Sequence, residues 1–587
     1  MDRKSIIAFV AIYALVAGVG FLFGHRSGEA PARSEGATDQ SESVIVEAGS
    51  LDAAASAVHA VGGDITHELG IIDAVAADVT PEQLGLLSRI DGLRISANAA
   101  VETAGKPGGK DIGGDSGSDS GSTSAGHAAL TDATRLHQEG ITGYGVGVAV
   151  LDSGSLSHVS LNKDPKGSWR FFAQYDAITD TVIASADLSK KKVGVGITSD
   201  DDSGHGTHVQ SVVLSSAMEA DGTYQGIAPY AHLVSVKAFG ANGFGTYADV
   251  IRGIDWVINN SAYWKLKVLN LSLSATPQSH YWDDPLNRAV MRAWESGLVV
   301  VASAGNTGPD AMSIGVPGNV PYVITVGAMS DNYTPGANND DVLASFSAAG
   351  PTVEGFVKPE VVAPGGHIVG LMNGSTTIAT EHPEFHDGGA YFTMSGTSQA
   401  ASVVSGLAAL VLEAEPYLTP DQVKCKIMSA ARPAVDASGN LAYSVFQQGA
   451  GMVNAYEAVY GTNYDCANRG LDVSADLAGE RHFGGRANVD ENGNFYIMGL
   501  DGYLWTDGYL WTDGYLWTDG YLWTDGYLWT DAYLWTDGSI GTNGYLWTDG
   551  YLWTDGYLWT DGYLWTDGFQ GSATTESMSI NFWVDQE

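Results

Sequence analysis

Short apolar runs that end in glycine turns and alternate with helical stretches constrain this chain more than any other feature. Val146 to Leu151 leads into Asp152-Ser153-Gly154, LNLSLSA covers 269–275, and VVVASAGNTG carries the run from Val299 into a turn that presents Asn306. Such runs read as buried strands of a mainly parallel sheet with helices on both faces, an α/β architecture. Asp152 would then lie at the C-terminal edge of a strand, where sites collect in open α/β sheets.

Two turn-to-helix segments complete a chemical set. In SGHGTHV, His205 stands between Gly204 and Gly206, ahead of Val209, Val212, Val213 and Leu214, so its imidazole projects from the first turn of an inward-packed helix. In MSGTSQAA, Ser398 opens the apolar helix Ala400 to Leu412, whose N-terminal amides favour negative charge. A serine hydroxyl is a poor nucleophile until an imidazole takes its proton, and the imidazole needs a carboxylate to fix its tautomer. Any one of these segments also occurs as an ordinary turn or cap; together, each in the expected local context, they form a far sharper signal.

The order Asp152, His205, Ser398 and the flanking glycines resemble the subtilisin-like serine peptidases, or subtilases. The resemblance implies that Ser398 is the nucleophile, His205 the base, Asp152 its orienting group, and Asn306 an amide donor to the oxyanion. Such a donor contributes roughly 3 kcal/mol. GIAPYAHLVSVKAF (226–239) and IGVPGNVPYVITVGA (314–328) also resemble subtilase segments. By the same resemblance, Ser272-Leu273-Ser274 and Ser303-Ala304-Gly305 wall the pocket for the residue before the cut bond, and Gly315 is its floor. A glycine floor with no acid nearby predicts room for a large apolar side chain and disfavours Lys or Arg. The chain departs from the family after the nucleophile: Gln399 replaces the usual methionine, and Ser402-Val403 the usual Pro-His pair.

Lys and Arg total 28 against 68 Asp and Glu, a formal charge of −40 that excludes nucleic acid as a partner. The two cysteines, Cys425 and Cys466, make no disulfide framework; they either pair, tying the last catalytic-domain helix to the segment after it, or remain buried thiols. Asp200 to Asp202 and the group His382, Glu384, His386 and Asp387 invite a metal ion but lack a fixed ligand pattern, and read as solvated loops. The proposed chemistry requires no cofactor. Subtilases often bind structural calcium, yet no calcium ligand can be placed residue by residue.

Six regions succeed one another along the chain. Residues 1–28 hold Arg3 and Lys4 ahead of an apolar run from Ile6 to Phe23, an export signal that is either a cleaved peptide or a retained membrane anchor, placing the protein outside the cell, in a periplasm or on a bacterial envelope. Residues 43–103 read βαββαβ, a small ferredoxin-like unit whose position resembles the family's inhibitory propeptide; an independent binding module is the alternative. Residues 104–126 read as a protease-sensitive linker, and 127–461 as the catalytic domain. From 503 to 568 the hexad Tyr-Leu-Trp-Thr-Asp-Gly recurs ten times, nearly verbatim, with one degenerate unit at Ser539 to Gly544. Each unit reads as a short strand and a turn, stacked into a β-meander or solenoid. Residues 569–587 end in a strand-like segment.

These observations predict an exported, self-processing serine endopeptidase acting on protein or peptide substrates, with its own propeptide as a partner. The competing expectation is a non-catalytic adhesion protein in which the aromatic repeats bind surface polysaccharide. Similar tails occur in some bacterial subtilases, and the repeats read equally as spacer or anchor.

Overall fold

The computed structural model describes residues 41–107, 126–190, 192–331, 341–435, 441–490 and 493–498, together with short strands between 504 and 566 and at 584–586. The apolar segment expected to direct export therefore lies outside the described residues, as do 108–125 of the expected linker.

The N-terminal unit comprises β1 (Glu42–Glu47), α1 (Leu51–Val61), β2 (Asp64–Leu69), β3 (Ala74–Val79), α2 (Pro81–Leu87) and β4 (Arg94–Ala97), with sheet order β2-β3-β1-β4. All of its strand pairs are antiparallel, the ferredoxin-like arrangement. Alternation along its strands makes both sheet faces apolar. Val44, Val46, Val75, Ala77 and Val79 pack under the unit's own helices, whereas Ile45, Leu69, Ala74 and Ala76 belong to the core shared with the larger domain. The following strand, β5 (Ala100–Thr103), leaves this sheet altogether and pairs with strands of the larger domain.

That domain is built on a nine-stranded sheet, with shorter strands in small sheets beside it. In chain order the ones that matter here are β6 (Gly147–Asp152), β7 (Phe171–Asp176), helix α3 (His205–Leu214), β8 (His232–Lys237), the short β9 (Phe244–Thr246), helix α4 (Tyr247–Trp264), β10 (Leu266–Leu271), the short β11 (Leu273–Ser274), β12 (Val299–Ser303), β13 (Ile324–Ser330), β14 (Tyr391–Ser395) and helix α5 (Thr397–Ala414). The sheet runs β13-β12-β10-β6-β8-β7 through its centre with parallel pairing throughout; antiparallel neighbours occur only at its two ends. Every residue of β6 and of β12 is buried, which is why these strands read as continuous apolar runs. Helix α5 is long and apolar enough to cross a membrane, but it is the buried central helix, packed on α3, β10, β12 and β13.

The packed body continues past Gly461, where the sequence had suggested that it ends. Cys466, Leu477 and Phe483 join the main core, and Ile497 packs with Val357 and Phe446. Asp476, buried, accepts hydrogen bonds from Tyr281 (2.6 Å) and Tyr322 (2.9 Å) and pairs with His482 (2.7 Å). Cys425 and Cys466 form a disulfide, which settles the alternative left open above.

In the hexad tail each strand pairs in parallel with the one three units on, Leu504 opposite Leu522 and Trp505 opposite Trp523. Three parallel sheets result, each built from every third hexad, a solenoid pattern rather than a meander. The degenerate unit keeps its place, with Ile540 opposite Leu522 and Leu558.

Candidate active site

Three elements bring the predicted residues together. Asp152 ends β6; His205 opens α3 behind Gly204, which adopts the left-handed φ of 97° that the turn requires; Ser398 is the second residue of α5. His205 Nδ1 lies 2.7 Å from Asp152 Oδ1, which also accepts from the Ser153 amide, and all three side chains are buried. Ser398 Oγ donates to the Ser272 carbonyl at 3.2 Å. Among the described residues, His205 Nε2 has no hydrogen-bond partner.

The burial has a cause. Strand β5 lies antiparallel between β9 and β11, pairing Val101 with Gly245 and Thr103 with Leu273. The Thr103 amide donates to Gly243 O (3.0 Å) and the Ala104 amide to Ser272 O (3.1 Å). The Ala104 carbonyl oxygen then accepts from Asn306 Nδ2 at 2.6 Å and from the Ser398 amide at 3.2 Å. Beyond it, Lys106 and Pro107 pair with Ser395 and Met394 of β14. Residues 104–107, expected to begin a linker, are instead threaded through the cleft.

Thr397 holds the asparagine for this task. Asn306 Oδ1 accepts from both the Thr397 amide and its hydroxyl, each at 3.0 Å, so the carboxamide's NH2 group faces Ala104. Asp201 does the same for the histidine helix: its carboxylate accepts from the Ser153 hydroxyl, the Gly204 and Thr207 amides and the Thr207 hydroxyl, joining β6 to the first turn of α3. From the sequence Thr397 has no such role and Asp201 reads only as part of a solvated acidic loop, although each lies within four positions of a predicted catalytic group.

The pocket residues are also assembled. Ser303 Oγ donates to Leu273 O at 2.8 Å, the Gly315 amide to Ala304 O at 3.1 Å, and the Gly305 amide to Thr397 Oγ1 at 3.2 Å. The open floor expected at Gly315 is not what the structure has. A Cβ placed there would lie 2.0 Å from Ser274 Oγ and 3.0 Å from the Ala275 carbonyl oxygen, so that hydroxyl already fills the space above the glycine.

Around the nucleophile, Gln399 is buried with Nε2 3.4 Å from His208 Nδ1, and Ser402 Oγ donates back to Ser398 O at 2.8 Å. Burial lowers the His208 imidazole to about 3, which keeps it a neutral partner. Among the described residues no group of three or more His, Cys, Asp or Glu is placed to hold a metal ion. Asp200 Oδ1 accepts from the Ser155 amide, and Lys237 donates to Asp200 O.

Comparison with known proteins agrees with this geometry. The Subtilase family model, Peptidase S8, matches residues 143–451. The serine protease AprX of Bacillus subtilis is 39% identical over 326 residues, 55% of this chain and 67% of that protein. Subtilisin DY of Bacillus licheniformis is 32% identical over 289 residues, 48% of this chain and 89% of the relative. A solved structure, fervidolysin from Fervidobacterium pennivorans, superposes with a TM-score of 0.54 at 24% identity, covering 73% of this chain and 62% of that one, and shares the fold. The chain therefore belongs to the subtilase family and is a subtilisin-like serine endopeptidase.

Proposed function

We propose that this chain is an exported serine endopeptidase that releases itself from its N-terminal domain by cutting the Ala104–Gly105 bond. The observation that carries this reading is the Ala104 carbonyl oxygen, held by Asn306 Nδ2 and the Ser398 amide where negative charge would develop. Ser398 Oγ attacks the Ala104 carbonyl carbon while His205 Nε2 takes its proton, and Asp152 stabilises the imidazolium. His205 then gives the proton to the Gly105 nitrogen as the C–N bond breaks. Water, deprotonated by the same imidazole, attacks the acyl-enzyme; the ester bond to Ser398 Oγ breaks, the imidazolium returns the proton to that oxygen, and Ala104 leaves as a carboxylate. Every group in these steps is a side chain or backbone amide of this chain, so the reading requires no cofactor.

The cut fragment remains an inhibitor at first, because its ladder to β9 and β11 and its shared core survive cleavage. Further contacts hold it to the first turn of α4: Asn98 Oδ1 and Ala99 O accept from the Ala248 and Tyr247 amides, and His67 Nε2 lies 3.1 Å from Asp249 Oδ1. The basic start and apolar run of residues 1–28 support export, whether as a cleaved signal or an anchor. The repeat tail lies downstream of every group in the chemical step and acts as a spacer or an attachment to envelope or polysaccharide.

The test is the C-terminus of the released fragment. Mass spectrometry of the material shed during activation should show a fragment ending at Ala104; an end at any other residue would falsify the assigned bond. Asn306→Ala should lower kcat about 10²- to 10³-fold with a much smaller change in KM, since the amide acts on the oxyanion. Steady-state kinetics on a small peptide substrate reads the split.

A further inference from the structure

The two positions flanking the assigned bond are walled in ways that reach beyond self-processing. We infer that this cleft selects substrates carrying a small residue before the cut bond and glycine after it, with Ser274 the specificity-determining side chain. The inference rests on the reading of Ala104–Gly105 as the bond presented to Ser398.

Before the bond, Ser274 Oγ stands between two glycines that would otherwise leave a slot. It lies 3.0 Å from a Cβ placed on Gly305 and 2.0 Å from one placed on Gly315. Ala104, the residue before the assigned bond, is nearly fully buried and carries only a methyl group. A phenyl or isobutyl group would have to push the Ser274 hydroxyl aside and lie against it, which opposes the large apolar preference expected from the glycine floor alone. A basic side chain would meet no counter-charge among the pocket residues Ser274, Gly305 and Gly315.

After the bond, a Cβ on Gly105 would lie 2.5 Å from His205 Cδ2, 2.6 Å from His205 Nε2 and 2.9 Å from Met394 Cε. The methionine tip can yield. The imidazole cannot move without lengthening its 2.7 Å bond to Asp152, so a side chain at this position disturbs the base itself. The penalty should therefore fall on kcat rather than KM.

The substrate class is thus an extended segment with a small residue before the cut bond and glycine after it.

Internally quenched peptides spanning residues 100–107, Ala-Val-Glu-Thr-Ala-Gly-Lys-Pro, test this with the active enzyme produced by the full chain. Copies carrying Ala104→Phe or Gly105→Val are compared with the parent on wild type and on Ser274→Gly. Wild type should favour the parent over the Phe peptide by about tenfold or more in kcat/KM, within the range that pocket shape supplies. The Phe-to-parent ratio should rise about tenfold in Ser274→Gly, as expected when pocket volume is restored. The Val peptide should lose kcat with KM little changed. A wild type that prefers Phe, or a ratio equal in both enzymes, overturns the role of Ser274; if Ser274→Gly does not fold, the wild-type ratio decides. Casein digestion with the parent peptide left uncut would instead refute the Ala104–Gly105 reading on which the inference stands.

Discussion

Ser398→Ala is expected to yield a full-length chain that never separates from its N-terminal domain and hydrolyses nothing. The loss in kcat should be on the order of 10⁵- to 10⁶-fold, because serine, imidazole and carboxylate act as a unit. What remains in the variant is a folded cleft that still binds its own strand. The ladder from Thr103 and Ala104 to Gly243 and Ser272, the shared core under Ile45 and Ala76, and the two donors on Ala104 O are all independent of the Ser398 hydroxyl. Intact mass should therefore report one uncut species at the Ala104–Gly105 position, and a peptide assay should read background. A Ser398→Ala preparation that contains a fragment ending at Ala104, or that cleaves peptides at the wild-type rate, would mean that another group performs the attack.

On the proposed reading of Ala104–Gly105, the uncut state also accounts for the parked hydroxyl. With the Gly105 backbone against the His205 ring, Ser398 Oγ turns to the Ser272 carbonyl, and the acid-base pair is joined on only one side, through the 2.7 Å contact of His205 with Asp152. Catalytic hydrogen bonds of this kind often tighten only in the reacting complex.

Much of this site was legible in the sequence, for a physical reason. Asp152, His205, Ser398 and Asn306 each need a particular functional group and a particular local backbone, a strand end or a first helical turn, and both leave marks within a few residues. The pocket segments were read from the family resemblance alone. What escaped was set by contacts distant in sequence. Residues 104–107 contain no apolar run and read as linker, because the groups that hold them, Ser272, Asn306, Ser398 and the strand at 391–395, lie far along the chain. Gly315 read as an open floor because the hydroxyl that fills it belongs to Ser274, 41 positions earlier. The hexad period was plain, but Asp-Gly turns left a β-meander and a solenoid both open, and only the pairing with the third unit on selects the solenoid. The element order of the N-terminal unit followed from its strand and helix periods, although its sheet joins distant strands, with Val44 opposite Ala97.

The boundary near Gly461 is the clearest case, and it carries the second large expected effect. A chain ending at 461 should fail to fold, whereas one ending at 498 should keep small-peptide hydrolysis within a few-fold of the full chain. Removing 462–498 takes away Cys466 and with it a bond closing a separation of 41 residues, a loss of about 2–4 kcal/mol. It also removes Asp476, leaving the Tyr281 and Tyr322 hydroxyls buried without the carboxylate that accepts from both. Burial holds both phenols well above their usual range, so neither can escape the loss by ionising, and each unsatisfied hydroxyl costs about 1–3 kcal/mol. Lys424, fully buried, loses Asn468 as an acceptor, and Phe483 leaves the core. Together these losses approach the whole stability of a typical domain, about 5–15 kcal/mol. Cutting after 498 removes the repeat solenoid and one three-residue strand, Val584–Gln586, paired at the edge with His482–Gly484, and touches none of the groups around Ser398. Circular dichroism melts and peptide hydrolysis on the two truncations decide the matter: a folded, active 1–461 chain would show that the Asp476 clasp and the disulfide are ornaments on a domain that closes without them, and an inactive but folded 1–498 chain would place the tail inside the catalytic unit after all.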